Sequence, residues 1–163
     1  MQMEIKGINE DKIKQISKIK QEDDWVLSYR LESYRHFSNL PLPAFGPKIE
    51  LNLDDIIYYK TEEDEIHHSW DQVKPEIKQE LSDLGVLESE CRLEGMGVQY
   101  ESEVIYHNML KASVEKQVIF TSIEDAMKKY PDLVKKYFGS IVSNDENKFA
   151  ALNGAVFSGG SFI

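Results

Sequence analysis

His67 and His68 stand next to a run of four carboxylates at residues 62–65, and the combination suggests a metal site. Zinc and iron both accept imidazole nitrogen and carboxylate oxygen as ligands. On an extended chain, however, adjacent side chains point to opposite sides, and on a helix they are separated by about 100°. The two imidazoles are therefore poorly placed to share one ion, and the pattern favours a polar, solvated loop.

Glu103 and His107 are four residues apart within residues 100–116, where the apolar spacing predicts a helix. Four residues on a helix bring two side chains to one face, so this pair could reach a common ligand or bind each other. A catalytic metal usually needs three protein ligands, which makes two side chains too few. Together with His67 and His68 they define one alternative function, a small metal-dependent enzyme.

Cys91 is the only cysteine of the chain, so neither an intrachain disulfide nor a cysteine-rich metal site can form. An iron–sulfur cluster normally takes several thiolates, and one chain supplies one. The cysteine falls in a short stretch between Gly85 and Gly95 that predicts a helix. We expect a small, buried or half-buried thiol there.

The remaining catalytic motifs are missing from the sequence. The glycine pairs at Gly95 and Gly97 and at Gly159 and Gly160 lack the strand–glycine–helix context of a dinucleotide loop, and no Walker pattern occurs. No serine stands in a nucleophile elbow. The sequence therefore predicts no enzyme, and no catalytic, cofactor-binding or metal-binding residue in this chain.

Composition narrows the class of protein further. The 163 residues are 41% hydrophobic, which is enough for the core of one ordinary domain, or of a small domain with an arm. A formal charge of -10 argues against a nucleic-acid ligand and against an anionic membrane surface. No apolar run approaches the roughly 20 residues of a membrane span, and the N-terminus has no apolar signal core. We expect a cytoplasmic protein.

The sequence predicts a series of short helices with clear starts, and these helices position the candidate residues. Asn9 can cap the first helix, and Asp23 or Asp24 the second, while Pro75 and Pro131 suit first helical positions. The predicted inward faces are Leu27, Leu31 and Tyr34 beside Trp25 and Phe37, then Ile77, Leu81 and Leu84, and finally Phe149, Leu152 and Val156. Because the first of these faces is too apolar to stay in water, we expect it to dock on this molecule or on a neighbour.

Extended segments are few. Residues 117–120 (QVIF) predict the one convincing strand, with a capping box at Thr121 and Glu124 directly after it. Residues 40–47 contain three prolines and a glycine, which break the helical pattern. The predicted division is a helical arm at 1–39, a Pro-rich and acidic linker at 40–69, a helical domain at 70–157 and a last strand at 158–163. The fold class is mainly α, or α+β at most, with several short helices and one or two short strands.

Five segments carry a resemblance to a known family. They are residues 24–37 (DWVLSYRLESYRHF), 70–85, 97–108 (GVQYESEVIYHN), 131–139 (PDLVKKYFG) and 144–163 (NDENKFAALNGAVFSGGSFI). In this order they resemble the N-terminal portion of the SufB family, the scaffold subunits of the SUF iron–sulfur cluster assembly system. A helical adaptor unrelated to that system would require the likeness of all five segments to be accidental.

The resemblance implies a fragment. In the family the helical region leads into a right-handed β-helix, so the run at 161–163 would be the first strand of a truncated β-helix. The family's working cysteines, and its cluster-building histidine and glutamate, lie in and beyond that β-helix and are not present here. Tyr106, His107 and Asn108 fall in the strongest of the five segments, which favours specific packing or a partner contact over catalysis.

The resemblance also implies partners and a role. The full-length protein would assemble a nascent iron–sulfur cluster in the cytoplasm as part of a SufBCD complex, with SufC and SufD and with a reduced flavin linked to assembly. This fragment would hold no cofactor and would act as a structural or docking module. We further expect a homo-oligomer through the C-terminal strand, because an uncovered strand edge pairs readily with another chain.

Overall fold

The computed structural model describes residues 3–44, 46, 50, 52–62, 65–109 and 111–163. Within these ranges lie eight α-helices, six short strands and two 3₁₀ turns, at Leu53–Asp55 and Glu90–Arg92. The helices are α1 Glu10–Ile19, α2 Asp24–Asn39, α3 Pro75–Asp83, α4 Val86–Ser89, α5 Lys111–Glu115, α6 Ile123–Lys129, α7 Pro131–Tyr137 and α8 Lys148–Val156. The strands are β1 Met3–Lys6, β2 Ile57–Thr61, β3 Gly95–Tyr100, β4 Glu103–Met109, β5 Thr121–Ser122 and β6 Ser161–Phe162. The predicted fold class, mainly α with some β structure, is confirmed, although the strands outnumber the one or two expected.

The strands form three two-stranded sheets, which pair β1 with β2, β3 with β4 and β5 with β6. β3 and β4 are an antiparallel hairpin whose register runs from Gly95 opposite Met109 to Tyr100 opposite Glu103, with an irregularity between Val98 and Gln99. β6 pairs antiparallel with β5 in the same chain. The expected association of two chains through β6 stays a prediction.

Two of the secondary-structure predictions are wrong. Residues 103–109 form β4 and not part of a helix over 100–116, and α5 begins only at Lys111. Glu101 adopts a positive φ of 55° at the turn, which an α-helix cannot contain. Residues 118–120 form no strand, and Gln117 before them also has a positive φ, of 59°. The strand in this region is the shorter β5.

The predicted starts of α1, α3 and α7 are confirmed. The Asn9 side chain accepts a hydrogen bond of 2.9 Å from the Lys12 backbone N–H, as a cap of α1 should. α3 and α7 begin at Pro75 and Pro131. The cap of α6 is displaced by one residue, since Ser122 and not Thr121 accepts from the Asp125 N–H, at 3.1 Å. No described helix combines the length and the apolar character needed to cross a membrane.

The chain divides into two compact units, and the predicted boundaries at 39, 69 and 157 stay a prediction. Among the described residues, the first unit comprises those of Thr61–Ala126 and Gly159–Ile163, and the second comprises those of Met3–Lys60 and Met127–Ser158. The core of the first unit is formed by Val73, Ile77, Leu81, Met96, Val98, Ile105 and Tyr106. Leu84, predicted to join Ile77 and Leu81, is instead 73% exposed. It lies just after α3 ends, where the chain leaves the buried face.

In the second unit, α2 packs against α8 through small residues. Buried on α2 are Val26, Arg30, Ser33 and Phe37, and buried on α8 are Ala151, Gly154 and Ala155. The predicted inward faces are right only in part. Phe37 is buried as expected, whereas the other large apolar side chains predicted to face inward on α2 and α8 are only partly buried. Small residues let two helix backbones approach closely, and a Cβ on Gly154 would lie only 2.6 Å from the Ser33 Oγ.

Candidate functional site

A cluster of polar side chains surrounds Glu90 in the first unit. The Glu90 carboxylate accepts three hydrogen bonds, from Trp70 Nε1 at 2.7 Å, from Tyr106 Oη at 2.5 Å and from Asn108 Nδ2 at 2.7 Å. The rings of Trp70 and Tyr106 are stacked, with centroids 4.0 Å apart and an angle of 12° between the planes. One carboxylate thus holds three side chains from two separate parts of this unit.

Local structure places each member of the Glu90 cluster. Glu90 opens the 3₁₀ turn after α4, while Tyr106 and Asn108 are two apart on β4 and so project from the same face of the strand. Trp70 comes from the turn that precedes α3. The hydrogen bonds therefore fasten the turn at 90–92 to the hairpin.

The cluster perturbs both of its titratable groups. Partial burial raises the pKa of Glu90, but the hydrogen bonds from Tyr106, Asn108 and Trp70 outweigh it, and the pKa lies below its usual value. Burial, the hydrogen bond to Glu90 and the negative charge of Glu90 raise the pKa of Tyr106 to about 12. At neutral pH the carboxylate is ionised and the phenol is neutral, which is the pairing that the hydrogen bond requires.

His67, His68 and His107 lie nearby, and hydrogen bonds to backbone carbonyls connect them. The His67 N–H donates to the Ile105 carbonyl at 2.8 Å and the His107 N–H donates to the His67 carbonyl at 2.9 Å, which makes a parallel bridge at the edge of the hairpin. The His68 Nδ1 lies 2.6 Å from the His107 carbonyl oxygen. The His107 ring packs on Phe120, with centroids 4.7 Å apart. These contacts pin residues 67–68 to β4.

The structure does not bring the proposed metal ligands to one point. Glu103 and His107 lie on a strand, where four residues span about 13 Å, and not on one face of a helix turn. The rings of His68 and His107 are nearer each other, at a centroid distance of 6.4 Å. Across the described residues, no three histidine, cysteine, aspartate or glutamate side chains are grouped so that they could hold a metal ion.

Cys91 is exposed, so the prediction of a buried or half-buried thiol is wrong. It follows Glu90 in the 3₁₀ turn, and its Sγ donates to the Glu88 carbonyl at 3.0 Å. The turn points Glu90 toward the hairpin and leaves the next side chain at the surface.

Glu90 was not singled out by the sequence analysis. Its neighbours are polar and charged, and nothing in residues 87–95 distinguishes it from Glu88 or Glu94. Only Tyr106 and Asn108 carried a signal, as residues expected to pack specifically. The cavity beside the cluster measures about 30 Å³, which is room for a water molecule and too small for a substrate. The cluster can fix a turn, but it offers no space for a reaction.

Arg30 forms a second polar cluster, in the other unit. Its side chain is fully buried and donates to Glu22 from Nε at 2.7 Å and from Nη2 at 2.5 Å. It also donates to the carbonyls of Ala155 and Phe157 at 3.2 and 2.9 Å, at the C-terminal end of α8. The Phe157 ring lies 3.8 Å from the guanidinium. Arg30 therefore neutralises a buried carboxylate and caps a helix end at once.

Lys148 makes the reciprocal contact at the other end of the helix pair. Its ammonium donates to the carbonyls of Phe37 and Leu40, at 2.6 and 2.9 Å, where α2 ends. α2 and α8 are thus antiparallel, and each C-terminus is capped by a cation from its neighbour. This arrangement serves stability and leaves neither cation available for chemistry.

Comparison with known proteins gives consistent matches. The model of the family described as the SufBD protein N-terminal region matches residues 91–163. The iron-sulfur cluster assembly SufBD family protein of Staphylococcus aureus (strain USA300) is 46% identical over 160 residues, which cover 97% of this chain and 34% of that protein. The protein of the same description in Staphylococcus haemolyticus (strain JCSC1435) matches to the same extent. The chain therefore spans about a third of the length of these relatives.

Proposed function

Because this chain belongs to the SufBD family and carries its N-terminal region, we propose that it is a structural or docking module of an iron–sulfur cluster assembly scaffold, without catalysis of its own. The resemblance seen in five segments of the sequence is confirmed at the level of this family. The narrower assignment to SufB, rather than SufD, is part of the proposal.

The observation that carries the proposal is the use made of the polar side chains. The Glu90 carboxylate accepts three internal hydrogen bonds. The Arg30 guanidinium forms a buried ion pair and donates to two carbonyls. A catalytic group must be within reach of a substrate, and these groups are occupied by their own protein. Such clusters are suited to holding a shape that another molecule recognises.

The role of the longer protein follows the names of its relatives. We propose that it builds an iron–sulfur cluster in the cytoplasm together with SufC and SufD, with the cluster as cargo. The present chain supplies one exposed thiol, at Cys91, and a cluster takes several thiolates as ligands. Cluster binding would therefore depend on residues outside this chain.

Anaerobic reconstitution with ferrous iron and sulfide tests the absence of a cluster site. We expect no visible iron–sulfur absorption and far less than one iron per chain, both for this protein and for a Cys91→Ser variant as control. Stoichiometric iron and sulfide that Cys91→Ser abolishes would contradict the proposal, because the chain would then ligate a cluster itself.

Docking is tested separately, by sedimentation velocity of this chain with a purified complex of SufC and SufD. Co-sedimentation is the expected result for a docking module. The docking role would be contradicted if the chain, shown to be folded by circular dichroism, sedimented separately from the complex at tens of micromolar.

The alternative of a small metal-dependent enzyme loses its geometric basis. It required Glu103 and His107 on one helical face next to His67 and His68, and the first two lie on β4. Zinc and iron analysis of protein purified without chelator is the direct check, with a His68→Ala and His107→Ala double variant as control. Stoichiometric metal that the double variant loses would restore the alternative.

A further inference from the structure

A groove of about 570 Å³ runs between α2 and α7 in the second unit. Trp25, Tyr29, Glu32 and Arg35 line it from α2, at the three-to-four-residue spacing of a single helix face. Lys135 from α7 and Phe138 just beyond it form the opposite wall. The groove is distinct from both polar clusters described above.

The floor of the groove is aromatic. The Tyr29 and Phe138 rings meet edge to face, with centroids 5.2 Å apart. The Trp25 ring is covered by the Lys135 ammonium, 5.2 Å from its centroid. The Trp25 Nε1–H is shielded from solvent and has no acceptor among the described residues. Aromatic side chains at a groove floor are the usual anchors of protein recognition, since they bury much area at little entropic cost.

Two cations, Arg35 and Lys135, flank this floor. Among the described residues, neither the Arg35 guanidinium nor the Lys135 ammonium forms an ion pair, and both side chains are exposed. Glu32 is the one carboxylate of the lining, and its charge contributes to raising the pKa of Tyr29, after the larger effect of burial. The local balance of the lining is positive.

The sequence around α7 is rich in lysine. Residues 127–138 contain four lysines, Lys128, Lys129, Lys135 and Lys136, and one carboxylate, Asp132, in a chain whose formal charge is -10. A positive, aromatic surface on an acidic protein selects for an acidic partner with apolar anchors.

We propose that the groove between α2 and α7 binds an acidic amphipathic helix of a partner protein. Its apolar side chains would rest on Trp25, Tyr29 and Phe138, and its carboxylates would pair with Arg35 and Lys135. The lining of α2 from residue 25 to 35 is about 15 Å long, which matches about three turns of a bound helix. The inference rests on the proposed docking role and names the surface and the partner chemistry for it.

A peptide panel tests the groove on the intact chain. The probe is a synthetic helix of about 14 residues, with leucine and phenylalanine at helical spacing and glutamate on the flanks. Its counterpart carries lysine at every glutamate position. Binding is followed by calorimetry at low salt and by the fluorescence of Trp25, whose signal is identified with a Trp25→Phe variant.

We expect the acidic peptide to bind at least tenfold more tightly than the lysine peptide. The double variant Arg35→Glu and Lys135→Glu should weaken the acidic peptide at least tenfold and strengthen the lysine peptide. The control is Lys18→Glu with Lys116→Glu, which changes the net charge equally at exposed lysines that do not line the groove, and it should keep most of the binding.

Three results would overturn the proposal. The first is equal affinity for the two peptides, or none up to millimolar concentration. The second is an equal loss in the groove and control variants, because binding would then follow net charge alone. The third is a dimer of the unmodified chain that the groove variant dissociates, because the occupant would then be a second copy. Co-sedimentation with SufC and SufD that survives the groove variant would leave the docking role standing and place it elsewhere.

Discussion

At the scale of single residues, we expect the Glu90 carboxylate to contribute to the stability of the first unit. We expect Glu90→Gln to lower the free energy of unfolding by about 1 kcal/mol at neutral pH, because three donors lose a charged acceptor, discounted for the solvent around it. Urea unfolding followed by circular dichroism measures the effect. Glu88→Gln, two residues away and exposed, is the matched control and should change little.

The pH dependence of that difference follows from the sign of the shift. The pKa of Glu90 is lowered in the folded protein, so its contribution is complete above the unfolded pKa near 4.5 and is lost as the pH falls through the folded pKa. The stability gap between the unmodified protein and Glu90→Gln should therefore close on acidification below pH 4.5. A gap that is unchanged at the lowest pH where both remain folded would contradict the hydrogen-bond role of the carboxylate.

Arg30 is the corresponding residue of the second unit. Arg30→Met should destabilise the protein by about 3–5 kcal/mol, because Glu22 would remain buried without its partner and two carbonyls of the α8 terminus would lose a donor. Adding Glu22→Gln to that variant should restore part of the loss, since a neutral amide is cheaper to bury than a carboxylate. Thermal unfolding of the two variants provides the test. Equal stability of both would mean that Glu22 is already solvated.

Neither Glu90 nor Arg30 could be recognised from the sequence. Glu90 stands among polar residues and Arg30 among the apolar residues of α2, and the burial of both depends on distant partners, on β4 for Glu90 and at the end of α8 for Arg30. Hydrophobic periodicity reports which apolar positions repeat, but it does not report which charge is paired across the fold. Asn9, by contrast, was identified correctly because a helix cap acts within three residues.

At the scale of elements, the close approach of α2 and α8 depends on Gly154. A Cβ there would lie 2.6 Å from the Ser33 Oγ and 3.0 Å from the Ser33 Cβ. We expect Gly154→Ala to destabilise by about 1–2 kcal/mol, because the overpacking exceeds the gain in helix propensity. Chemical unfolding measures this. Asn153→Ala is the control on the exposed side of α8 and should be neutral or slightly stabilising.

A double-mutant cycle distinguishes the clash from a general effect of alanine. Ser33→Gly removes the side chain that the new methyl would meet, so the pair Ser33→Gly with Gly154→Ala should be more stable than the two separate losses add up to. Strict additivity would show that the helices can move apart, and that Gly154 has another role.

The errors in predicting α2, α8 and β4 have a common cause, which is that contacts between distant segments decide the outcome. The buried stripe of α2 and α8 contains Arg30 and several small residues besides Val26 and Phe37, so the apolar periodicity pointed in part to the half-buried flanks. In β4, Ile105 and Met109 are four apart and mimic a helix face, while the β-branched and aromatic residues of the segment favour a strand. Pairing with β3 favours the strand over the helix. That contact cannot be inferred from the residues of β4 alone. Prolines and caps act locally, which is why α1, α3 and α7 start where expected.

At the scale of the whole molecule, each unit has its own set of contacts that hold its elements together. The first unit relies on a core of apolar side chains with Glu90 at its edge, and the second on a close helix pair whose ends are capped by Arg30 and Lys148. Both units draw on segments that are distant in sequence. Contacts that define a unit are therefore non-local, which is why sequence composition alone did not reveal this division.

Hydrogen exchange should show that the contacts of Arg30 and of Glu90 each stabilise only their own unit. We expect Arg30→Met to accelerate exchange of the α2 and α8 amides at least tenfold, and Glu90→Gln to accelerate that of the β3 and β4 amides, because each variant removes bonds that are internal to one unit. Proteins open in cooperative segments whose stabilities differ, so a local loss need not spread. Mass spectrometry of peptides from each unit gives the readout, with Glu88→Gln as the unperturbed reference. Equal acceleration of all four elements by either variant would contradict the prediction, because the 163 residues would then open as a single cooperative structure.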